Sequence, residues 1–339
     1  MNDSTQTTAA PRSDSAAPAK PDSDMQAVLD ELAALGGKPI ETLAPAEARK
    51  QPTPADAAKS LLQKQNKPTA PDSLVPGITA ADRTIPGPGG PLAVRIYTPA
   101  GSGPFPVVAY YHGGGFVIAD KEVYDGGARA LAKQANAVVV SVDYRRAPEH
   151  KFPAAHEDAL ATYQWARSNA ASIKGDPNKI AVAGESAGGN LAVATALMAR
   201  DKGLPLPVHV VSVYPIAQTD TTTDSYERNA NAKPLSRAMM GWFTRQLIRS
   251  AEDLNDPRLD LVHADLHGLP PVTIINAEID PLLDDGAMLE AALRSAGVPV
   301  TRRVYEGATH EFFGMSAVVQ DARDAVAVAG SALRKAFEK

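Results

Sequence analysis

The sequence contains no cysteine among its 339 residues. This absence excludes a disulfide framework, a thiolate-ligated zinc site, an iron–sulfur cluster and a cysteine nucleophile. Aromatic residues make up only 5% of the chain, and no apolar run approaches the roughly 18 residues that a membrane-spanning helix needs. The formal net charge is −5, so the chain also lacks the excess of lysine and arginine that is typical of a broad nucleic-acid-binding surface. We therefore expect neither a membrane span nor a nucleic-acid partner.

The first 24 residues contain no aromatic and no β-branched aliphatic side chain. Such a segment cannot bury enough apolar surface to offset the entropy lost on ordering, so we expect residues 1–24 to be a disordered tail. The same segment has neither the basic start nor the apolar centre of a signal peptide. The sequence thus predicts a cytoplasmic protein.

From residue 92 onward, apolar and β-branched runs alternate with helical stretches. The seven runs are LAVRIY, PVVAYYH, AVVVSVDY, KIAVAGE, VHVVSVYP, PVTIINAE and VPVTRRVY. The helical stretches are expected at 126–134, 153–169, 187–200, 282–296 and 320–337. Alternation of this kind predicts an α/β fold with a mostly parallel central sheet and helices on both faces. The first two runs are joined by a short Gly/Pro-rich piece without a helix, so we expect the sheet to open with antiparallel strands.

Two parts of the chain depart from this alternation, and we expect them to form a helical cap. The first contains amphipathic helices that begin near residues 25 and 54. The second is an insertion with a helix over 235–249, rich in Met239, Met240, Trp242 and Phe243; the alternative is one more packing helix with a core-facing stripe. The expected division is a tail (1–24), the N-terminal part of the cap (25–75), the first part of the core (76–215), the cap insertion (216–255) and the second part of the core (256–339).

The sharpest local motif is Gly184-Glu185-Ser186-Ala187-Gly188, which follows an apolar run and opens a helical one. Glycines on both sides of the serine allow a sharp strand-to-helix turn that projects the hydroxyl above the carboxyl edge of the sheet. The N–H groups of the helix N-terminus favour developing negative charge there. Ser186 is therefore the candidate nucleophile.

A second motif, His112-Gly113-Gly114-Gly115, lies at the end of the run PVVAYYH. Successive glycines leave backbone N–H groups open to an oxyanion, and together with Ala187 they predict a hole formed by Gly113, Gly114 and Ala187. The rival interpretation is a phosphate-binding loop, but no Gly-Lys-Ser/Thr follows. We expect His112 to anchor the loop by hydrogen bonds and not to transfer protons.

A serine nucleophile needs a histidine base, which in this fold follows it in the chain. Four histidines come after Ser186. His209 starts a strand run, and His263 and His267 lie in a polar stretch before the next one. His310 alone follows the last run, where a loop could reach back over the serine. His310 is therefore the candidate base.

The base in turn needs a carboxylate that orients it. Asp280 comes just after the run PVTIINAE, at the same edge of the sheet. Asp284 and Asp285 lie about a turn into the following helix, where we expect them to cap the helix or face solvent. Asp280 is the candidate acid. These residue types imply no metal site.

Five motifs in a fixed order now make the chain recognisable: His112-Gly-Gly-Gly115, Asp143-Tyr-Arg-Arg-Ala-Pro-Glu149, Gly184-Glu-Ser-Ala-Gly-Gly189, Asp280-Pro-Leu282 and His310-Glu-Phe-Phe-Gly-Met315. Together they resemble the bacterial hormone-sensitive-lipase family of esterases, family IV, over essentially everything after residue 25. The resemblance implies an α/β-hydrolase fold with a cap, no cofactor, and hydrolysis of short-chain acyl esters. It also implies a small-molecule ester as the partner and leaves a homodimer open.

Some residues depart from the family pattern. Glu185 stands where aspartate or threonine usually precedes the nucleophile, and we group the chain with the aspartate-type members because the carboxylate is kept. Arg146 and Lys151 replace the commoner leucine and proline, away from the predicted chemistry. The stretch around these residues predicts a buried, hydrogen-bonded brace beneath the oxyanion loop, formed by Asp143, Tyr144, Arg145 and Glu149.

The sequence thus predicts a carboxylic ester hydrolase for short- to medium-chain acyl esters, with the four bulky insertion residues walling the acyl pocket. An amidase or peptidase with the same triad is one alternative. A non-catalytic binding protein, like the plant gibberellin receptors, is another, but those have lost the histidine that His310 supplies here. A lipase for aggregated long-chain fat would need a larger apolar entrance than this cap predicts.

Overall fold

The structure, a computed structural model, describes residues 19–339. Residues 1–18 of the predicted tail lie outside this range, so their disorder stays a prediction. The first helix, α1 (Ser23–Ala34), begins before the predicted tail ends at residue 24. The N–H of Asp22 donates to the carbonyl of Gly307 at 3.0 Å. The boundary at residue 24 is therefore wrong, because this backbone hydrogen bond fixes the chain just before α1.

Eight strands form one sheet in the described chain: β1 (Ile78–Gly87), β2 (Gly90–Pro99), β3 (Phe105–Tyr111), β4 (Val138–Asp143), β5 (Gly175–Glu185), β6 (Val210–Val213), β7 (Val272–Ile279) and β8 (Val300–Thr309). Their order across the sheet is β1-β2-β4-β3-β5-β6-β7-β8. β1 and β2 pair antiparallel, as do β2 and β4, and every later pair is parallel. The predicted mostly parallel sheet with an antiparallel opening is confirmed.

The sequence did not predict β1. Its residues read ITAADRTIPG, and only Ile78 and Ile85 are buried. An edge strand with one neighbour and a largely exposed surface does not need a continuous apolar run. It therefore lacks the signal by which the other strands are found.

Ten helices follow α1 in the described chain: α2 (Pro45–Ala48), α3 (Pro54–Lys64), α4 (Pro71–Leu74), α5 (Asp125–Ala135), α6 (Ala154–Ser168), α7 (Ala187–Asp201), α8 (Asp224–Arg228), α9 (Arg237–Leu247), α10 (Leu283–Ser295) and α11 (Gln320–Phe337). Alternate residues of β3 show how the sheet divides the core. Val107 and Ala109 belong to the apolar cluster that includes residues of α6, α7 and α10, whereas Val108 and Tyr110 belong to the cluster that includes residues of α1, α3, α5 and α11. Both faces are thus covered, as the near-continuous apolar strands predicted.

The insertion between β6 and β7 meets the N-terminal segment. The indole Nε1 of Trp242 on α9 donates to the carbonyl of Leu43 at 3.2 Å. Arg49, just after α2, donates from Nε to the carbonyl of Val117 at 2.8 Å and forms an ion pair with Glu149 at 2.7 Å. These contacts join two sequence-distant segments above the carboxyl ends of the strands. No helix between residues 19 and 339 is long and apolar enough to cross a membrane.

Candidate active site

Ser186 occupies a tight turn between β5 and α7. Its backbone has φ 57° and ψ −117°, a conformation that residues with a side chain rarely adopt. A Cβ on Gly184 would lie 2.1 Å from the carbonyl oxygen of Gly188, and a Cβ on Gly188 would lie 1.9 Å from that of Tyr111. Only glycine fits at these two positions, because the obstructing atoms belong to the backbone. The two glycines thus permit the turn that directs the serine hydroxyl towards His310.

The structure brings Ser186, His310 and Asp280 together. His310 Nε2 lies 2.9 Å from Ser186 Oγ, and its Nδ1 lies 2.6 Å from Asp280 Oδ2. The other carboxylate oxygen of Asp280 accepts the N–H of Leu282 at 2.9 Å. All three side chains are buried. A proton on Nδ1 leaves Nε2 free to accept the serine proton.

The environment of His310 sets its pKa. Burial alone would lower the pKa of the imidazole, but the charge of Asp280 and its hydrogen bond outweigh burial, so the pKa is raised above its ordinary value. The ring of Tyr214 packs on the imidazole with centroids 4.4 Å apart. The base is therefore held by a hydrogen bond on one side and an aromatic ring on another.

The glycine-rich loop after β3 bends back towards the serine. Gly114 has φ +93° and Gly115 has φ +59°, and the carbonyl of Gly114 accepts the N–H of Ile118 at 2.9 Å. In the described part of the chain, Gly113 and Gly114 donate no N–H hydrogen bond. The N–H of Ala187, at the first position of α7, has no carbonyl within its own helix to bond. These three N–H groups have no acceptor within residues 19–339.

His112 supports this loop from below. Its Nδ1 lies 2.8 Å from the carbonyl of Gly113 and therefore carries the proton, while burial lowers the pKa of the imidazole to about 4. The ring stacks on Tyr144, whose hydroxyl donates to the carbonyl of His112 at 2.9 Å. A neutral histidine that bonds the loop backbone is an anchor, as the sequence predicts.

The remaining brace residues behave differently from one another. Asp143 accepts the N–H of Lys121 at 2.7 Å, and Arg145 forms an ion pair with the buried Asp158 at 2.9 Å. Glu149 is wrongly predicted as buried, since its side chain is 54% exposed and pairs with Arg49. Glu149 joins the N-terminal segment to the core, because its partner comes from outside the stretch that contains it.

A cavity of about 850 Å³ opens above Ser186 and His310. Met239, Met240 and Phe243 line it. Trp242 does not line it: this side chain is 4% exposed and turns towards Leu43, because it lies on a different face of α9. The predicted pocket role of Trp242 is therefore wrong.

The other histidines and aspartates considered as base or acid lie away from Ser186. His263 and His267 are exposed, and His209 is buried with Nε2 2.9 Å from Thr273 Oγ1. Asp285 does not face solvent as expected; it is fully buried and accepts the N–H of Ala217 at 2.9 Å. It is buried because α10 packs its first turn against the loop after β6. Asp284 accepts the N–H of Ser225 at 2.7 Å.

Residues 108–314 match a family model described as the alpha/beta hydrolase fold. This stretch covers more than half of the chain and includes Ser186, Asp280 and His310. The chain belongs to the α/β-hydrolase family. Its predicted fold and its resemblance to the family IV esterases are thereby confirmed.

Several relatives of this α/β-hydrolase are known. It is 39% identical over 291 residues to the carboxylesterase NlhH of Mycobacterium tuberculosis, an alignment that covers 84% of this chain and 91% of the relative. The solved esterase of Pyrobaculum calidifontis is 37% identical with a TM-score of 0.81, covering 93% of this chain and 98% of the other. A thermostable esterase from Pseudomonas putida ECU1011 is 32% identical with a TM-score of 0.84, covering 95% and 99%.

The sequence of this α/β-hydrolase did not reveal three charged residues that lie near the triad. Glu185 is buried and accepts hydrogen bonds from the hydroxyls of Tyr110 and Tyr214. Arg146, set aside as remote from the chemistry, lines the cavity. Glu311 directly follows His310 and also lines the cavity. The glutamates were visible inside the recognised motifs, but the motifs do not reveal which way a side chain points.

Proposed function

We propose that this α/β-hydrolase is a carboxylic ester hydrolase that cleaves short- to medium-chain acyl esters through Ser186. The observation that carries the proposal is the chain of contacts from Ser186 Oγ to His310 Nε2 (2.9 Å) and from His310 Nδ1 to Asp280 (2.6 Å). Ser186 and His310 line a cavity, next to the backbone N–H groups of the glycine-rich loop and of Ala187. This combination of nucleophile, base, orienting acid and anion-binding donors is suited to acyl transfer.

In the first half-reaction, Ser186 Oγ attacks the ester carbonyl while His310 Nε2 takes its proton. Asp280 holds the imidazole in the tautomer with the proton on Nδ1 and stabilises the imidazolium that forms. The carbonyl oxygen becomes an oxyanion, which the N–H groups of Gly113, Gly114 and Ala187 receive. One such donor typically contributes about 100- to 1000-fold to the rate. The alcohol then leaves with the proton from His310.

In the second half-reaction, a water molecule replaces the alcohol. His310 takes a proton from this water, which attacks the acyl-enzyme carbonyl, and the same N–H groups receive the new oxyanion. Ser186 regains its proton from His310 when the acid departs. The position of the serine at the start of the 15-residue helix α7 also favours both anionic intermediates.

Residues 25–75 and 216–255 act together in this proposal as a cap over the active site. Met239, Met240 and Phe243 from the insertion line the same cavity as Leu29 and Leu32 from α1. These side chains surround the acyl group with apolar surface and limit its length. Arg146 and Glu311 place charge in the same wall.

A fluorophosphonate probe and a set of substrates test the proposal. The probe labels wild type at Ser186, and Ser186→Ala folds normally but loses labelling and nearly all turnover. Ser168→Ala, at an exposed position of α6, is the matched control and keeps both. Rates on p-nitrophenyl esters of two to sixteen carbons, compared with an anilide, separate an esterase from an amidase. Labelling at another serine contradicts the proposal.

A further inference from the structure

Glu311 stands beside the candidate base on the side that faces the cavity. One carboxylate oxygen, Oε1, lies 3.9 Å from His310 Nε2, the nitrogen that contacts Ser186. The same oxygen accepts a hydrogen bond from the hydroxyl of Tyr124 at 2.5 Å. Glu311 Oε1 is therefore fixed close to the nitrogen that becomes protonated during acyl transfer.

The backbone of Glu311 adopts a conformation that a glutamate does not favour. Its φ is 71° and its ψ is 1°, in the left-handed region that glycine enters freely and other residues enter at a cost. Glycine at this position would relieve the backbone but leave the nitrogen without the carboxylate. Strained residues of this kind cluster at functional sites, where the function of the side chain requires the unfavourable backbone conformation.

The groups around Glu311 and His310 come from five other places in the fold. They are Tyr110 on β3, Tyr124 before α5, Glu185 at the end of β5, Tyr214 after β6 and Asp280 after β7. Within residues 19–339, the ion-pair contact of Glu311 is with His310, and no lysine or arginine approaches its carboxylate within 4 Å. Arg146 and Lys233 line the same cavity but do not reach this carboxylate within 4 Å, so His310 is its ion-pair partner in the described chain.

We propose that Glu311 is a positioning residue that acts through His310: its carboxylate stabilises the imidazolium formed when Ser186 gives up its proton. The inference rests on the proposed function of Ser186 and His310. Asp280 stabilises the ring at Nδ1, and Glu311 adds a second negative charge near Nε2. No bond to Glu311 forms or breaks, and the proton travels from Ser186 to His310 and on to the alcohol.

The electrostatics of the site agree with this geometry. The charge and hydrogen bond of Asp280, and next the charge of Glu311, raise the pKa of His310 against the lowering effect of burial. Burial, with the charge of Asp280, raises the pKa of Glu311 above its ordinary value, although the charge of His310 and the hydrogen bond from Tyr124 lower it. Each partner therefore favours the charged form of the other.

Glu311→Gln tests the inference, because glutamine keeps an oxygen that can accept the Tyr124 hydroxyl but carries no charge. The pKa of His310 is measured in the free enzyme by NMR of ¹³C-labelled histidine, with His310→Ala identifying its signal. We expect the pKa to fall by about one unit and the acidic limb of kcat/KM to move to lower pH equally. We expect kcat to fall about tenfold with KM unchanged, because the charge acts in the transition state.

Glu306→Gln is the matched control, since Glu306 is an exposed residue of β8 with the same charge. It leaves the pKa of His310 and the pH profile unchanged. Glu311→Gly is the second variant: glycine adopts the φ of 71° freely and lacks the carboxylate, so it shows the same pKa shift as Glu311→Gln. A Glu311→Gln enzyme with the wild-type pKa and pH profile overturns the inference.

The two proposals fail in different ways. If wild type does not cleave esters or is not labelled at Ser186, the proposed function is wrong. If wild type is active and labelled, but neither Glu311 variant shifts the pKa of His310, only the role of Glu311 is wrong. If Glu311→Gly alone lowers activity and the pKa stays constant, the residue merely shapes the loop, which also overturns the inference.

Discussion

The ring of Tyr214 packs against the imidazole of His310 with centroids 4.4 Å apart and planes inclined by 48°, while its hydroxyl donates a hydrogen bond to Glu185. Glu185 accepts a second hydrogen bond from Tyr110 on the neighbouring strand. A buried carboxyl group next to the nucleophile in sequence thus fixes the ring that supports the base. The residue before Ser186 contributes to the site from behind and does not contact the cavity.

Glu185 makes the stability of the protein depend on pH. Burial raises its pKa to about 8 from an ordinary value of 4.5. Between these two pH values the folded chain binds the proton more tightly than the unfolded chain, so the free energy of unfolding falls as pH rises. Glutamine does not titrate. We expect the stability of Glu185→Gln relative to wild type to increase by about 4 kcal/mol between pH 4.5 and 8.

Urea unfolding of both proteins at four pH values across this window measures the effect. Glu306→Gln, an exposed change of the same kind, controls for the loss of one negative charge. Parallel stability curves for Glu185→Gln and wild type would show that Glu185 is ionised in the folded state and that burial does not hold its proton.

Asp280→Asn removes the carboxylate that sets the tautomer of His310. Asparagine can donate its N–H to Nδ1, which places the imidazole proton on Nε2, where it cannot accept from Ser186. By analogy with serine proteases we expect turnover to fall by about 10⁴-fold with folding unchanged. Steady-state kinetics of Asp280→Asn and of the control Asp324→Asn, an exposed residue of α11, measure this. A loss below tenfold would mean that another group orients the base.

Phe243 and Trp242 are neighbours on α9 with different expected effects. Phe243 lines the cavity and packs on the oxyanion loop, where a Cβ on Gly115 would lie 2.3 Å from its ring. Phe243→Ala should shift preference towards longer acyl chains by one to two orders of magnitude at most, because apolar contacts contribute about 1–3 kcal/mol per methylene group.

Trp242→Ala, in contrast, should lower stability by about 3–5 kcal/mol, because the indole is buried against the N-terminal segment. The chain-length profile should stay close to that of wild type. Acyl-chain profiles from two to sixteen carbons and thermal unfolding are measured for both variants. A Trp242→Ala profile that shifts as much as the Phe243→Ala profile would show that both residues wall the pocket.

Two glycines should respond in opposite ways to alanine. A Cβ at Gly188 would lie 1.9 Å from the carbonyl oxygen of Tyr111, so Gly188→Ala must displace the backbone of the turn. We expect a stability loss of more than about 2 kcal/mol and a large loss of turnover. At Gly241 on α9, the nearest atom is the flexible end of Arg245 at 3.3 Å, and Gly241→Ala should add up to about 1 kcal/mol. Denaturant unfolding measures the free energy of unfolding of both variants and of wild type. Equal changes in the two variants would contradict this prediction.

The sequence by itself determined the fold class, the order of the strands along the chain and the candidates for the triad. These features depend on local signals: apolar period, glycines at a sharp turn, and chain order. Gly184 and Gly188 are recognisable because backbone conformation restricts which residue fits. His310 is recognisable because, of the histidines after Ser186, it alone follows the last strand, at the carboxyl end where the serine also lies.

Only the tertiary structure decided where side chains point and what meets them. β1 is stabilised by pairing with β2 and not by its own apolar content, so its sequence gives little signal. Asp285 is buried against Ala217, 68 residues earlier in the chain, and Glu149 pairs with Arg49, 100 residues earlier. Glu311 contacts Tyr124 across 187 residues. Local sequence patterns carry no information on these contacts, because they form only when elements far apart in the chain pack together.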